Sequence, residues 1–248
     1  MDQITIDDLL LYSQCPMKLF FKANLGISGD NVTVKGQVND ALRQACYSYL
    51  NAAGNTAPAI AARKLNSMMG GVILPSNIRG SDRRKAAYDN SIDITRRVLD
   101  RFMMELSMME YSLIGSPMPY NLVINNTPYM GLIDAVISYR GKHDVITFDF
   151  STNPPSDEVL TYGIRCTIAS HAYRELSSHP YRIIHYWIPG NQYLEVNRMD
   201  MQYRVLDREL NALARMVDEC TNSNLWYRSK GFWCNSCYLV NPCNEIRI

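Results

Sequence analysis

Asp144-Val145-Ile146-Thr147-Phe148-Asp149-Phe150 is a run of β-branched and aromatic residues bracketed by turn signals. Such composition predicts a strand. Asn153-Pro154-Pro155 ends it, because proline cannot donate to a sheet ladder. Residues 156–177 then read as a helix, with Ser156 as N-cap and Asp157 and Glu158 in the first turn. Arg182 to Trp187 is a second strand, and Pro189-Gly190-Asn191 turns the chain. Residues 199–222 read as a long helix. Strand, helix, strand is the unit that builds a sheet with a crossover helix.

Upstream, Tyr129 to Tyr139 reads as one strand, turned by Arg140-Gly141-Lys142. Asn121 to Ile124 is a shorter strand, followed by turn chemistry at Asn125-Asn126. Gly115-Ser116-Pro117 marks the change from the helical part of the chain. Residues 7–25 are expected to be helical, with Asp7 as N-cap, and Gly26 to Asp30 to be a break. Lys35 to Ala53 reads as a helix carrying Val38, Leu42, Ala45 and Tyr49 on one face. Residues 58–114 are expected to be mostly helical, interrupted between Gly70 and Ser81, and to form an inserted lobe. The fold class is therefore α/β (α+β), with one mixed central sheet flanked by helices. A single domain is expected over residues 1–248, with the helical lobe at about 54–115, the sheet core at about 116–200, and the last helix and a cysteine-rich tail at about 200–248.

The 248 residues are 47 % hydrophobic, which suits a packed core. No run of 18 apolar residues exists, so no membrane span is expected. Asp2, Asp7 and Asp8 stand where a secretory leader would carry positive charge, so a reducing, cytoplasmic compartment is expected. The net charge of +1 argues against a large non-specific DNA interface. Local clusters at Arg83, Arg84 and Lys85 and at Arg96 and Arg97 form either a basic face or an ordinary solvated helix surface.

Among seven cysteines, Cys46, Cys166 and Cys220 lie in helix-like runs and read as small buried residues. Cys234-Asn235-Ser236-Cys237 is a CxxC, and Cys243 follows after five residues. A CxxC lets two thiolates converge on one metal from a tight turn, and a fourth ligand must come from elsewhere. Zinc and an iron–sulfur cluster both accept such ligands, and spacing does not separate them. His143, His171, His179 and His185 show no ligand-type pairing in sequence and read as structural or surface residues. Phe232 and Trp233 are expected to shield the cysteine centre from water.

Several segments together resemble the RecB-like nucleases of the PD-(D/E)XK superfamily. The resemblance is to the iron–sulfur branch, which includes CRISPR-associated RecB-like exonucleases and the AddB nuclease domain. It rests on Ser13-Gln14-Cys15-Pro16 followed by Leu19-Phe20-Phe21, on Gly36-Gln37-Val38-Asn39-Asp40, and on Gly131-Leu132-Ile133-Asp134. Asp149-Phe150-Ser151-Thr152 and the C-x2-C-x5-C at Cys234, Cys237 and Cys243 complete the order. The resemblance implies a restriction-endonuclease-like core and a 4Fe–4S cluster on Cys15, Cys234, Cys237 and Cys243, with zinc as the alternative. It also implies Mg²⁺ or Mn²⁺ held by Asp134 and Asp149, the ion activating water and polarising a scissile phosphate.

Two departures stand out. Ser151 occupies the place of the family's catalytic lysine, and Asn39 or Asp40 the place of its histidine. Thr161, Tyr162 and Arg165 lie where a Gln/Tyr motif is expected. Losing a positioned charge costs roughly 10²–10³ in rate. Asp40 is the residue able to replace the histidine as an oxygen ligand for Mg²⁺. The expected function is that of a pseudo-enzyme, a degenerate nuclease fold acting as a DNA-binding or scaffolding subunit of a nucleic-acid-processing complex. The alternatives are an active metal-dependent DNA exonuclease with rearranged ligands and a purely structural protein–protein interaction module.

Overall fold

The computed structural model describes residues 4–27, 33–52, 54–72, 82–124, 126–231, 234, 237–239 and 243–244, and of residues 82–88 the backbone only. The expectations placed on residues 28–30 and 73–81, on Asn125, Phe232, Trp233, Asn235 and Ser236, and on the side chains of Arg83, Arg84 and Lys85 lie outside them. The described chain falls into two compact units. One comprises Met1–Thr33, Pro119–Gly131 and Met199–Ile248, the other Val34–Met118 and Leu132–Arg198.

The second unit is built on β5 (Lys142–Asp149), the expected strand. It lies at the centre of a five-stranded sheet of order β1-β4-β5-β6-β7, with β1 at Tyr111–Gly115, β4 at Ala135–Tyr139, β6 at Tyr181–Trp187 and β7 at Gln192–Val196. β5 and β6 run parallel and the other pairs antiparallel, so the sheet is mixed. Alternation assigns the two faces. Ile146 and Phe148 of β5 and Ile184 and Tyr186 of β6 pack in one core with α3 (Val34–Asn51), α4 (Ala57–Gly70) and α5 (Asp82–Ser107). The helices of the expected lobe thus share the core of the sheet. Val145, Thr147, Ile183 and His185 belong to the opposite alternation, and α7 (Ile164–Leu176) packs against β5 and β6. The whole is an α+β architecture, a five-stranded mixed sheet flanked by helices.

Several boundaries differ from expectation. The helix expected over 58–114 stops at Ser107, and Tyr111–Gly115 is an edge strand paired with β4. Five residues are too few for periodicity to reveal, and pairing supplies what propensity does not. The strand expected over 129–139 breaks at Asp134. β3 (Thr127–Ile133) pairs with β2 (Met118–Ile124) in a separate hairpin, whereas β4 joins the large sheet. The helix expected over 156–177 divides at Gly163 into α6 (Asp157–Tyr162) and α7. A side chain at Gly163 would meet the Val159 carbonyl oxygen at 2.4 Å. Arg198 clamps the break, donating to the carbonyls of Leu160 at 2.9 Å and Gly163 at 3.0 Å and to the Thr167 hydroxyl at 2.8 Å. Finally, β7 follows the turn that was expected to lead directly to the last helix.

The first unit holds α1 (Ile6–Gln14), α2 (Pro16–Leu25), the β2–β3 hairpin and α8 (Asp200–Ser223). The single helix expected over 7–25 is broken at Cys15, which is extended (φ −167°, ψ 121°). Proline bars its predecessor from the helical region and itself starts the next helix well. The N-cap is Thr5 in place of Asp7, in a capping box with Asp8. Gly131 lies against Tyr120: a Cβ there would fall 2.3 Å from the phenol ring, so the first residue of the Gly-x-x-Asp motif is needed for packing. Among the described residues, no helix is long and apolar enough to cross a membrane.

One buried ion pair anchors the sheet. Asp144 of β5 is fully buried and accepts from Arg182 Nε at 2.8 Å, Arg182 Nη2 at 2.7 Å and Tyr193 Oη at 2.9 Å. Replacing one member of such a pair strands the other's charge. Asp144→Ala is expected to lower the unfolding free energy by about 3 kcal/mol, and Tyr193→Phe by about 1 kcal/mol, as read from urea denaturation.

Candidate functional site

The break between β3 and β4 presents Asp134 to α3. Tyr47 Oη donates to Oδ1 at 2.5 Å and the Phe148 amide donates to Oδ2 at 2.8 Å. Arg43 Nε lies 3.7 Å from Oδ1, and its guanidinium sits over the Phe150 ring at 5.1 Å. Burial pushes the Asp134 carboxyl above the ordinary carboxylate range, against the opposing pull of Arg43, Tyr47, the Phe148 amide and Arg165. Burial and the adjacent Asp134 likewise raise the Tyr47 phenol.

Asp149 closes β5. Its Oδ1 accepts from the Ser151 amide at 2.7 Å, and its Oδ2 lies 2.9 Å from Ser151 Oγ and 3.0 Å from His185 Nε2. Burial raises this carboxyl, but the hydrogen bonds from His185 and Ser151 outweigh it and the result lies below the ordinary value. Ser151 thus binds the acid through its amide and hydroxyl without bringing charge.

The charge comes from His185 on the neighbouring strand. The parallel register sets Thr147 opposite His185, and the ring reaches along to Asp149. Its Nδ1 lies 3.6 Å from Cys166 Sγ on α7, which in turn lies 3.2 Å from Thr147 Oγ1. Burial lowers the imidazole, but hydrogen bonds to Asp149 and Cys166 carry it up to about 9. His185 is thus an imidazolium at neutral pH. The ladder, invisible in sequence, aims His185 at Asp149. Cys166 is buried as expected, yet it also positions this ring.

Sequence reasoning also missed Tyr47 and Arg43. The usable signal was helical spacing, since Asp40, Arg43 and Tyr47 at i, i+3 and i+7 share one face of α3. Asp40 and Asn39 are half-buried on that helix. Asp40 lies one turn before Arg43, and the contacts to Asp134 come from Arg43 and Tyr47. Among the described residues, no three His, Cys, Asp or Glu side chains are arranged to hold a metal ion.

The cysteines belong to the other unit. Cys15 sits at the α1–α2 break, and the Cys237 amide donates to the Cys234 carbonyl at 3.1 Å, the tight turn expected of a CxxC. Cys15, Cys234, Cys237 and Cys243 are half-buried free thiols, while Cys46, Cys166 and Cys220 are buried. Burial raises the Cys243 thiol, Arg228 lowers it, and Cys15, Cys237 and Cys234 raise it further. Cys243 therefore lies within electrostatic reach of the other three sulfurs. These four cysteines are among the described residues, so they too are not arranged here as a metal-holding group; as a class, thiolates suit zinc or an iron–sulfur cluster and do not suit a hard ion. Beside it, Trp226 packs edge-on to Tyr12 at 6.4 Å and against Phe20 at 5.8 Å, tying the segment after α8 to the first two helices.

No family model matches the chain, and no curated protein matches it. Among solved structures, it is similar to a candidate exonuclease from Eubacterium rectale, with TM-score 0.57 and 10 % identity over 100 % of this chain and 89 % of that one. At that identity the likeness is one of fold, nuclease-like in architecture. The crystal structure of SSO0001 covers 85 % of this chain and 97 % of its own at 15 % identity, with a TM-score of 0.39, too low to establish a common fold.

The His185–Asp149 pair has a signed pH signature. His185 is raised from 6.5 to about 9, so its contribution to stability is complete below about pH 6.5 and lost as pH rises through 9. Asp149 is lowered, so its contribution is present above the ordinary carboxylate value of 3.8 and lost as pH falls through its lower folded value. Between pH 6.5 and 9.5 the wild-type chain is expected to lose on the order of 3 kcal/mol more stability than His185→Gln. Denaturant midpoints measured across that window check this, and parallel curves would remove His185 as the source.

Proposed function

We propose that this chain is a catalytically degenerate RecB-like nuclease fold, a DNA-binding or scaffolding subunit of a nucleic-acid-processing complex, carrying a 4Fe–4S cluster. The observation that carries the reading is the state of the two acids. Both oxygens of Asp134 and both of Asp149 are engaged by donors of the protein itself. These donors compete with a divalent ion for the oxygens that would bind it. Here the cation facing Asp149 is His185, and it is committed to holding that carboxylate. A serine hydroxyl at position 151 adds no compensating charge.

Cys15, Cys234, Cys237 and Cys243 are the residues that would hold the cluster, with zinc as the alternative occupant. When bound, the group supplies a four-armed cross-link. Arg228 stands where it offsets the negative charge of the thiolates. Exposed Arg96, Arg97 and Arg101 on α5 are available for phosphate contacts.

A second reading, an active exonuclease with rearranged ligands, draws support from Asp40, placed one turn before Arg43 on the face of α3 that reaches Asp134. The two separate on purified protein incubated with single- and double-stranded DNA and Mg²⁺ or Mn²⁺. The degenerate reading expects intact DNA, and binding by fluorescence anisotropy that weakens steeply with salt. Cleavage abolished by Asp134→Ala and Asp40→Ala would establish the exonuclease instead. Intact DNA without binding would leave the protein–protein module. For the cluster, anaerobically purified protein is expected to be brown with about four irons per chain, and to lose iron in Cys15→Ser and Cys243→Ser. A colourless protein with one zinc would replace the cluster by zinc.

A further inference from the structure

The four histidines are scattered in sequence, but the fold pairs two of them. His143 opens β5, and His179 lies two residues before β6. Their ring centres are 4.7 Å apart with the planes inclined at 43°. The parallel ladder enforces this approach. The His143 amide donates to the carbonyl of Pro180 at 2.9 Å, and His143 stands opposite Tyr181 in register. The His179 amide is held by Ser177 Oγ at 3.2 Å. Neither ring is involved with Asp134 or Asp149. His143 and Asp149 are at opposite ends of β5, roughly 20 Å apart at the usual rise per residue.

The separation has a chemical meaning. A metal about 2.1 Å from one nitrogen of each ring stands roughly 3.2 Å from each ring centre, so cis or tetrahedral angles put the two centres about 4.5–5.2 Å apart. The observed spacing falls within that interval. The far side of His143 is also prepared. Its Nδ1 is hydrogen-bonded to the Tyr173 hydroxyl, and Tyr173 is itself buried and packed edge-on to Tyr181 at 5.3 Å. A ligating histidine characteristically donates its other ring N–H to such a partner, which fixes the tautomer and the ring plane. In the tautomer in which Nδ1–H donates to Tyr173, Nε2 presents its lone pair. His179 is exposed, which leaves the approach to the pair open to solvent and room for water to complete the coordination shell.

We propose that His143 and His179 form a two-imidazole site for a borderline divalent ion of the Ni²⁺, Cu²⁺ or Zn²⁺ class, with Tyr173 as the outer residue that orients His143. Hard ions such as Mg²⁺ are excluded by the nitrogen donors. The bound ion would cross-link the start of β5 to the segment that enters β6, at the end of the sheet remote from the carboxylates. It would stabilise the parallel pair by binding the folded chain alone.

The test is a Ni²⁺ titration by calorimetry on the full chain as purified, with its cysteine site loaded, comparing wild type with His179→Gln and Tyr173→Phe. The exposed position of His179 makes His179→Gln a safe substitution for folding, and circular dichroism verifies it. Wild type is expected to bind one Ni²⁺ per chain more than His179→Gln. Tyr173→Phe is expected to keep the site with about tenfold weaker affinity. Ni²⁺ should raise the thermal midpoint of wild type and leave that of His179→Gln unmoved. Equal stoichiometry and affinity in wild type and His179→Gln would overturn the proposal and leave the two rings as a stacked pair. Because neither residue touches the carboxylates or the four clustered thiols, the outcome is independent of the nuclease-fold reading.

Discussion

The parallel register of β5 against β6 governs the chemistry of the second unit. Thr147 faces His185 in that ladder, and two residues further on Asp149 ends the strand within reach of the same imidazole. At the other end the same ladder brings His143 beside the segment carrying His179. A slip of one residue would turn every side chain of β5 to the opposite face. Asp144 guards against it from within, because its carboxylate is buried and matched by Arg182 and Tyr193 on the next two strands. The pair specifies alignment more than it adds stability, since buried ion pairs roughly offset their own desolvation.

The two acids sit in contrasting environments. Asp134 is pressed upward by burial, and Asp149 is drawn downward by an imidazolium and a serine. In a working metal site two ionised carboxylates share the charge of an ion between them. Here each acid is balanced separately, Asp134 by Tyr47, Arg43 and a strand amide, Asp149 by His185 and Ser151. The balance is local and made by the protein. The positive charge beside Asp149 comes from a histidine on a different strand, reached through the sheet.

The cysteine frame answers a different constraint. Pro16 forces Cys15 out of helical geometry and so places it, half-buried, at the turn between α1 and α2. Tyr12, Phe20 and Trp226 hold that turn against the segment leaving α8. Burial raises the Cys243 thiol above its ordinary value.

What the sequence determined by itself were those features that short-range chemistry specifies. The run from Asp144 to Asp149 is a strand because of its own residues, the CxxC is a tight turn because of its spacing, and the acids Asp134 and Asp149 could be named from motif order. Gly163, Pro16 and Asp134 hid three breaks, because a helix or strand pattern continues through a single residue whose backbone departs from it. Only the tertiary structure decided which partners the acids have. His185, Cys166, Tyr47 and Arg43 reach the site across a sheet pairing or a helix packing, and the pairing of His143 with His179 likewise depends on it. Those distances are set by register between strands far apart in the chain, and register is a property of the assembled sheet that no local pattern of residues contains.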